Sequence, residues 1–308
     1  MEKRLIDCNA GDLRNMGKDE MLRSIALSEG RVLMCETIGA VQPMLGNITN
    51  AEFAASMGAD FLLLNLFDAN SPQVFGLPPV EPGETIREIK RLTGRPVAVN
   101  LEPADKSFSA GSGNDIWHLT DGRRATPENA RRLCAMGADM IVLTGNPGIG
   151  VQNEAIAESL RAISKEVGDK VILTAGKMHA SGLLNKAGKD LITKEDVCLF
   201  REAGADIILM PAPGTVPGIT MEQIGSLIEY THGLGALALT SIGTSQEGAD
   251  TDTIRRIALM CKMAGADIHH LGDSGYLGMA LPENIMAYSV AIKGIRHTYR
   301  RMARSVNR

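Results

Sequence analysis

A chain of 308 residues is long for one ordinary domain and suits a single α/β barrel with decorations. Its 44% hydrophobic and 22% charged content excludes a disordered, collagen-like or coiled-coil protein. A net charge of −4 speaks against a nucleic-acid partner. The five cysteines (Cys8, Cys35, Cys134, Cys198 and Cys261) form no CxxC pair, the N-terminus shows no apolar signal core, and no apolar run reaches roughly 18 residues. The expectation is a cytoplasmic protein with reduced thiols and no membrane or nucleic-acid partner.

Residues 1–30 read as an N-terminal extension, with a helix around Lys18 to Ser28 that closes the bottom of the fold. From there one phrase recurs four times: Met57-Gly58-Ala59-Asp60, Met136-Gly137-Ala138-Asp139, Ala203-Gly204-Ala205-Asp206 and Ala264-Gly265-Ala266-Asp267. Each copy follows an amphipathic stretch and leads into a short apolar run, at Phe61 to Leu66, Met140 to Leu143, Ile207 to Met210 and Ile268 to Leu271. That is the signature of a helix end, a glycine with positive φ and a tight turn into a buried strand. Four further strands alternate with these, at Val32 to Glu36, Val97 to Leu101, Val171 to Thr174 and Ala236 to Thr240. Eight strand-helix units predict a (β/α)₈ TIM barrel over 31–281, followed by a long C-terminal helix in 282–308, all within one domain. A doubly wound open sheet would not produce the alternation, and no GxGxxG fingerprint follows the first strand. In the last helix, Ile285, Met286, Val290, Ile295, Tyr299 and Met302 recur at helical spacing and are expected to pack on the barrel. Arg296, Arg300, Arg301, Arg304 and Arg308 read as a solvated face.

Helix-to-strand turns are short, whereas Asp68 to Gly83, Glu102 to Ala125 and Ala175 to Thr193 are long strand-to-helix loops. Barrels of this kind build their sites from such loops. Polar residues gather at the same strand ends: Glu36, Asn65 and Asp68, Asn100 and Glu102, Thr144 and Asn146, Lys177 and His179, Ser241, and Asp273. Side-chain alternation places Asn100 and Glu102 toward the barrel mouth, with Val97, Val99 and Leu101 toward the helices. It also groups Asn65, Thr144 and His270 on one face, and sends His269 outward; a hydrogen-bonded core pair is the plainer reading of the two histidines. Cys35 faces the helix layer if Glu36 faces the pocket.

Lys177 is a candidate for Schiff-base formation, for contact with a charged substrate, or for no role at all. His179, Glu36 and Glu102 are candidates for proton transfer. Gly243, Thr244 and Ser245, with Gly272, Ser274 and Gly275, could cradle a phosphate, although Asp273 would repel it. Glu36, Asp68, Glu102, His179 and Asp273 offer an oxygen-rich set that Mg²⁺ could accept, without diagnostic spacing. Trp117 and His118 could form part of a lid. Sixteen methionines are compatible with a homo-oligomer.

Gly58-Ala59-Asp60 running into Asn65-Leu66-Phe67-Asp68, and Pro96-Val97-Ala98-Val99-Asn100-Leu101 followed by Asp105, resemble the phosphate-binding (β/α)₈ barrels, and within them the BtpA/SgcQ family. The likeness covers about the first third of the chain. Phosphoenolpyruvate mutase and isocitrate lyase-like barrels share the early pattern, but their paired aspartates on the third strand are replaced by Asn100 and Glu102. The leading expectation is an aldolase-type lyase or isomerase acting on a small phosphorylated metabolite. Mg²⁺-dependent chemistry on a keto acid and a non-catalytic, metabolite-sensing or assembly barrel are the alternatives.

Overall fold

The computed structural model describes residues 2–104, 117–145, 153–178 and 191–308. Eight parallel strands form a closed barrel in chain order: β1 (Val32–Ile38), β2 (Phe61–Asn65), β3 (Val97–Leu101), β4 (Met140–Leu143), β5 (Ile172–Gly176), β6 (Ile207–Pro211), β7 (Leu237–Ile242) and β8 (Ile268–Leu271), with β8 pairing back onto β1. Two helices precede the barrel, α1 (Ala10–Arg14) and α2 (Lys18–Ala26). The outer layer contains α3 (Asn50–Ser56), α4 (Thr85–Thr93), α5 (Pro127–Met136), α6 (Asn153–Val167), α7 (Lys194–Glu202), α8 (Met221–Gly233), α9 (Thr251–Ala264) and α10 (Pro282–Met302). This is the TIM barrel that the repeat predicted.

The interior is layered. Its lower part is apolar, filled by residues such as Val32, Met34, Phe61, Leu63, Met140, Ile172, Leu209 and Ile268. Leu5, Leu13, Met21 and Ile25 from the N-terminal segment join the same cluster and close the bottom. The next inward positions on the strands are polar: Glu36, Asn65, Asn100, Thr144, Ser241 and His270. Val97, Val99, Leu101 and Cys35 belong instead to the cluster between strands and helices, as the alternation required. Burial pushes the Cys35 thiol far up, so it stays protonated.

The recurring aspartate has a structural task. Its carboxylate accepts the backbone N–H of the preceding strand in every copy: Asp60 from Leu33 at 2.9 Å, Asp139 from Val97 at 2.8 Å, Asp206 from Leu173 at 2.9 Å and Asp267 from Ala238 at 2.8 Å. Each strap stitches an even strand to the odd strand before it, at the bottom of the barrel. The glycines that open these turns have φ between 97° and 111°, the left-handed region that favours glycine. Three of the aspartates also meet a cation, Lys293 and Arg301 for Asp60, Lys90 for Asp139 and Lys18 for Asp206, and Asp267 meets the His232 ring.

The C-terminal helix differs from its expected packing. Gly294 has φ 75° and ψ 161°, which kinks α10 and resets the phase of its buried face. Ile285 is buried, but Ile295 and Tyr299 are exposed. In their place Lys293, His297, Thr298 and Arg301 turn inward. Arg301 is therefore not on a solvated face. It is 1% exposed, bonds Asp60 at 2.7 Å and donates to the carbonyls of Leu5 and Cys8. Burial opposes the charge on Asp60, but Lys293 and Arg301 outweigh it and hold the carboxyl below its ordinary range.

Candidate active site

A cavity of about 330 Å³ opens at the C-terminal ends of the strands. Of the residues proposed from sequence, Glu36, Asn65, Asn100, Glu102, Thr144, Gly243, Ser245, Gly272 and Gly275 line it. Leu66, Trp117, Arg123, Gly145, Met178, Glu247 and Asp273 complete its described walls.

The carboxyls enter from different elements. Glu36 ends the inward face of β1, and its Oε2 lies 3.4 Å from Nε2 of the fully buried His270 on β8. Nδ1 of His270 bonds Ser241 Oγ on β7 at 2.8 Å. Ser241 thus lies beneath the cavity and supports His270 instead of lining the wall. Asp273 follows β8; it accepts Asn65 Nδ2 at 2.8 Å and the N–H of Gly275 at 2.9 Å. Burial, then the neighbouring charge of Glu36, pushes its carboxyl up to about 7. Glu247 is brought in by a short 3₁₀ turn at Gln246–Gly248, entered through Ser245 at φ 77°. Its main-chain oxygen is held by Asn284 Nδ2 of α10 at 2.8 Å. Burial, followed by the charge of Glu36, raises its carboxyl as well.

Glu102 is differently placed. Arg123, 4% exposed, clasps it through Nε at 3.0 Å and through Nη2, while the two backbones are joined by the Glu102 N–H to the Arg123 carbonyl at 2.8 Å. Burial raises the Glu102 carboxyl and Arg123 opposes that rise. The pair contributes a charge-balanced wall. The Asn65 and Asn100 amides meet at 3.1 Å, and Asn65 Oδ1 accepts the Leu66 N–H at 2.9 Å, which leaves its Nδ2 to Asp273. Among the described residues, the non-glycine positions with positive φ are Glu29, Leu66, Ser245 and Ser274, and of these Leu66 and Ser245 line the cavity. Such strain is characteristic of sites held in shape by their surroundings.

Several expectations are not met. Lys177 is 7% exposed but does not line the cavity; Met178 does. The alternation along β5 explains this, since Ile172 and Met178 share the inward set while Leu173 and Ala175 pack outward. Asp68 turns away from the cavity: its Oδ1 accepts the N–H groups of Asn70 and Ser71 at 2.7 and 3.1 Å. Thr244 does not line the cavity either, because its hydroxyl bonds Thr215 O at 2.9 Å and Gln246. Ser274 also stays off the wall. Two of the N–H groups expected to cradle phosphate are engaged internally, Gly272 with Ile242 O and Gly275 with Asp273. The suggested Mg²⁺ ligands separate: Asp68 turns away, Glu102 pairs with Arg123, and among the described residues no three of His, Cys, Asp and Glu gather in metal-holding geometry. His179 and Asn146 lie outside the described residues. His269 packs outward as expected, between Tyr288 Oη and Gly30 O, each at 3.0 Å. Burial pushes its pKa down to about 3, so it is a neutral structural histidine.

Sequence reasoning missed Glu247, Arg123 and Met178 and gave Asp273 no substrate-facing role. Met178 was accessible by extending the β5 alternation. Glu247 and Arg123 lie on loops, where no period indicates direction. Trp117, expected in a lid, lines the cavity and meets Tyr276 edge-on at 5.7 Å, with its Nε1 donating to Tyr276 Oη at 3.0 Å. Its neighbour His118 supplies a carbonyl to Arg123 at 2.8 Å.

Fold and site together define a TIM barrel with an acidic cavity at its C-terminal mouth. The chain belongs to the family described as Domain of unknown function (DUF7916), which matches residues 6–308. No curated protein matches the sequence. Among solved structures, a Schiff-base-forming fructose-1,6-bisphosphate aldolase is similar with a TM-score of 0.55 at 13% identity, over 88% of this chain and 99% of the aldolase. A thiamine phosphate pyrophosphorylase from Pyrococcus furiosus is similar at 0.47 and 13% identity, over 87% and 98%. An oxaloacetate acetylhydrolase gives 0.48 and 14% identity, over 84% and 81%. At these identities the likenesses show the fold alone. No helix among the described residues is long and apolar enough to cross a membrane.

Proposed function

We propose that this chain is an enzyme of the lyase or isomerase kind that moves a proton on a small metabolite held in the barrel mouth. The observation that carries the reading is Asp273, a carboxyl pushed up to about 7 and fixed by Asn65 and Gly275 at the wall of the cavity. A group with this acidity is divided between acid and base near neutral pH, which suits a residue that must both take and return a proton. The proton would pass from a substrate carbon to the Asp273 carboxylate. It would then return to a neighbouring atom in an isomerisation, or to the departing fragment in a cleavage. Glu36, backed by His270 and Ser241, is the second proton-handling group. Asn65, Asn100 and Thr144 supply polar contacts for substrate oxygens.

This assigns the chemistry to carboxyls and not to Lys177, whose backbone position directs it off the described wall. The similar aldolase forms a Schiff base, but 13% identity does not carry that step to Lys177. Phosphate is disfavoured by the carboxyls of Glu36, Glu247 and Asp273 on the same wall and by the engagement of the Gly272 and Gly275 N–H groups. A Mg²⁺ role would have to draw on a donor set that the described residues do not assemble. The BtpA/SgcQ likeness rests on the early strand phrases and does not constrain the reaction.

The test is C–H exchange. The full chain is incubated in D₂O with keto acids, hydroxy acids, amino alcohols and sugar phosphates, and loss of C–H signal is followed by proton NMR. Exchange into at least one compound is expected, with loss of at least a hundredfold in Asp273→Asn and persistence in Lys177→Met and in chelator. Borohydride should leave no adduct on Lys177. Absence of exchange from every compound would favour the sensing or assembly barrel, and exchange undiminished in Asp273→Asn would refute the assignment.

A further inference from the structure

The described walls of the cavity carry four carboxyl groups, Glu36, Glu102, Glu247 and Asp273, against the single guanidinium of Arg123. Arg123 is committed to Glu102, so three carboxyls face the remaining space with no described cation among them. Glu247 is 6% exposed, and its Oε2 has no hydrogen-bond partner among the described residues. Thr144, 2% exposed, likewise lines the cavity with an unpartnered Oγ1. A buried acceptor left unsatisfied in a native site calls for a ligand donor, and like charges held together in a poorly hydrated pocket favour a cation.

We infer that the cavity takes a substrate bearing a positively charged nitrogen, with Glu247 as its anchor and Glu36 and Asp273 alongside. An ammonium group offers three N–H donors and no acceptor, matching a set of carboxylate oxygens. It restores the charge balance that a phosphate group would worsen. Trp117, on the wall near Tyr276, presents aromatic surface at the mouth, where a cation is also favoured. Thr144 is available to a hydroxyl or carbonyl elsewhere on the ligand. A divalent metal is the other source of positive charge, but the carboxyls do not converge on a common point in the way that three metal ligands must. This assignment rests on the cavity being the reaction site proposed above and names its substrate class.

Binding is read separately from turnover, by thermal shift and calorimetry on the full chain at pH 8. The probes are putrescine, 4-aminobutanol and lysine, against butane-1,4-diol, glycerol 3-phosphate and MgCl₂ alone. At least one amine should raise the melting temperature in a saturable way, with no response to the diol or the phosphate ester. Glu247→Gln should weaken that amine at least tenfold, and Thr144→Val should weaken it less. The unliganded Glu247→Gln protein should melt no lower than the parent, since it loses a charge that burial and the neighbouring Glu36 disfavour. A response to phosphate or Mg²⁺ with none to amines, silence from all three amines, or amine binding unchanged in Glu247→Gln would overturn the inference. Amine binding without C–H exchange would overturn only the proposed reaction, whereas exchange confined to non-amines would overturn only the substrate class.

Discussion

Asp273→Asn provides a test of the acidic cavity that needs no substrate. The carboxyl rises from an ordinary 3.8 to about 7 in the folded protein. At 1.36 kcal/mol per tenfold change in acidity, this corresponds to about 4 kcal/mol, and local relaxation trims it to about 2–4. Between pH 4 and 7 the folded state retains a proton that the unfolded chain has released. Stability from this group therefore falls as pH rises through that window and is lowest above pH 7. Asparagine removes the titration but keeps one acceptor oxygen where aspartate offered two, to Asn65 and Gly275. The lost bond costs about 1 kcal/mol at every pH. The variant should thus be about 1 kcal/mol less stable than the parent at pH 4 and about 1–3 kcal/mol more stable at pH 8. Unfolding entropy near 2.1 cal/mol/K per residue makes 1 kcal/mol roughly 1.5 °C for a chain of this length. The two melting curves, followed by circular dichroism against pH, should therefore cross and separate by about 2–5 °C at pH 8. Curves that run parallel from pH 4 to 8 would refute the assignment of a raised carboxyl to Asp273.

Asp60→Asn strands Lys293 and Arg301 in the barrel floor and should cost about 3–5 kcal/mol, whereas Asp267→Asn, whose partner His232 is exposed, should cost about 1 kcal/mol in a denaturant titration. Equal losses would show that the buried ion pairs are not what distinguishes the first strap. Gly294→Ala places a side chain at φ 75° and ψ 161°, a region almost reserved for glycine, and should cost about 1–3 kcal/mol. In native protein, Cys8, Cys35 and Cys261 should resist a thiol reagent until the chain unfolds, because all three are buried and burial raises each thiol; rapid labelling of Cys35 would contradict its place behind β1.

The four Gly-Ala-Asp turns were legible because each is a local device: a glycine that reverses the chain and an aspartate that bonds the preceding strand. Alternation along β1, β2, β3, β4 and β8 likewise told which side chains enter the barrel, since period-2 geometry is a property of the strand alone. Glu36, Asn65, Asn100 and Thr144 reached the cavity for that reason, and His269 and His270 separated as their parity required. Closure of the barrel decided the rest. Whether Glu247 enters the cavity depends on a turn at Ser245 and a bond to Asn284 on α10, 37 positions further along the chain. Arg123 neutralises Glu102 only because the backbone at Arg123 and Arg124 pairs with that of Glu102, some twenty positions earlier in the chain. Arg301 left its helix face when Gly294 broke the helical phase and the floor offered Asp60. Loop direction and buried charge pairing are set by contacts distant in sequence, and these form only once the eight strands have closed.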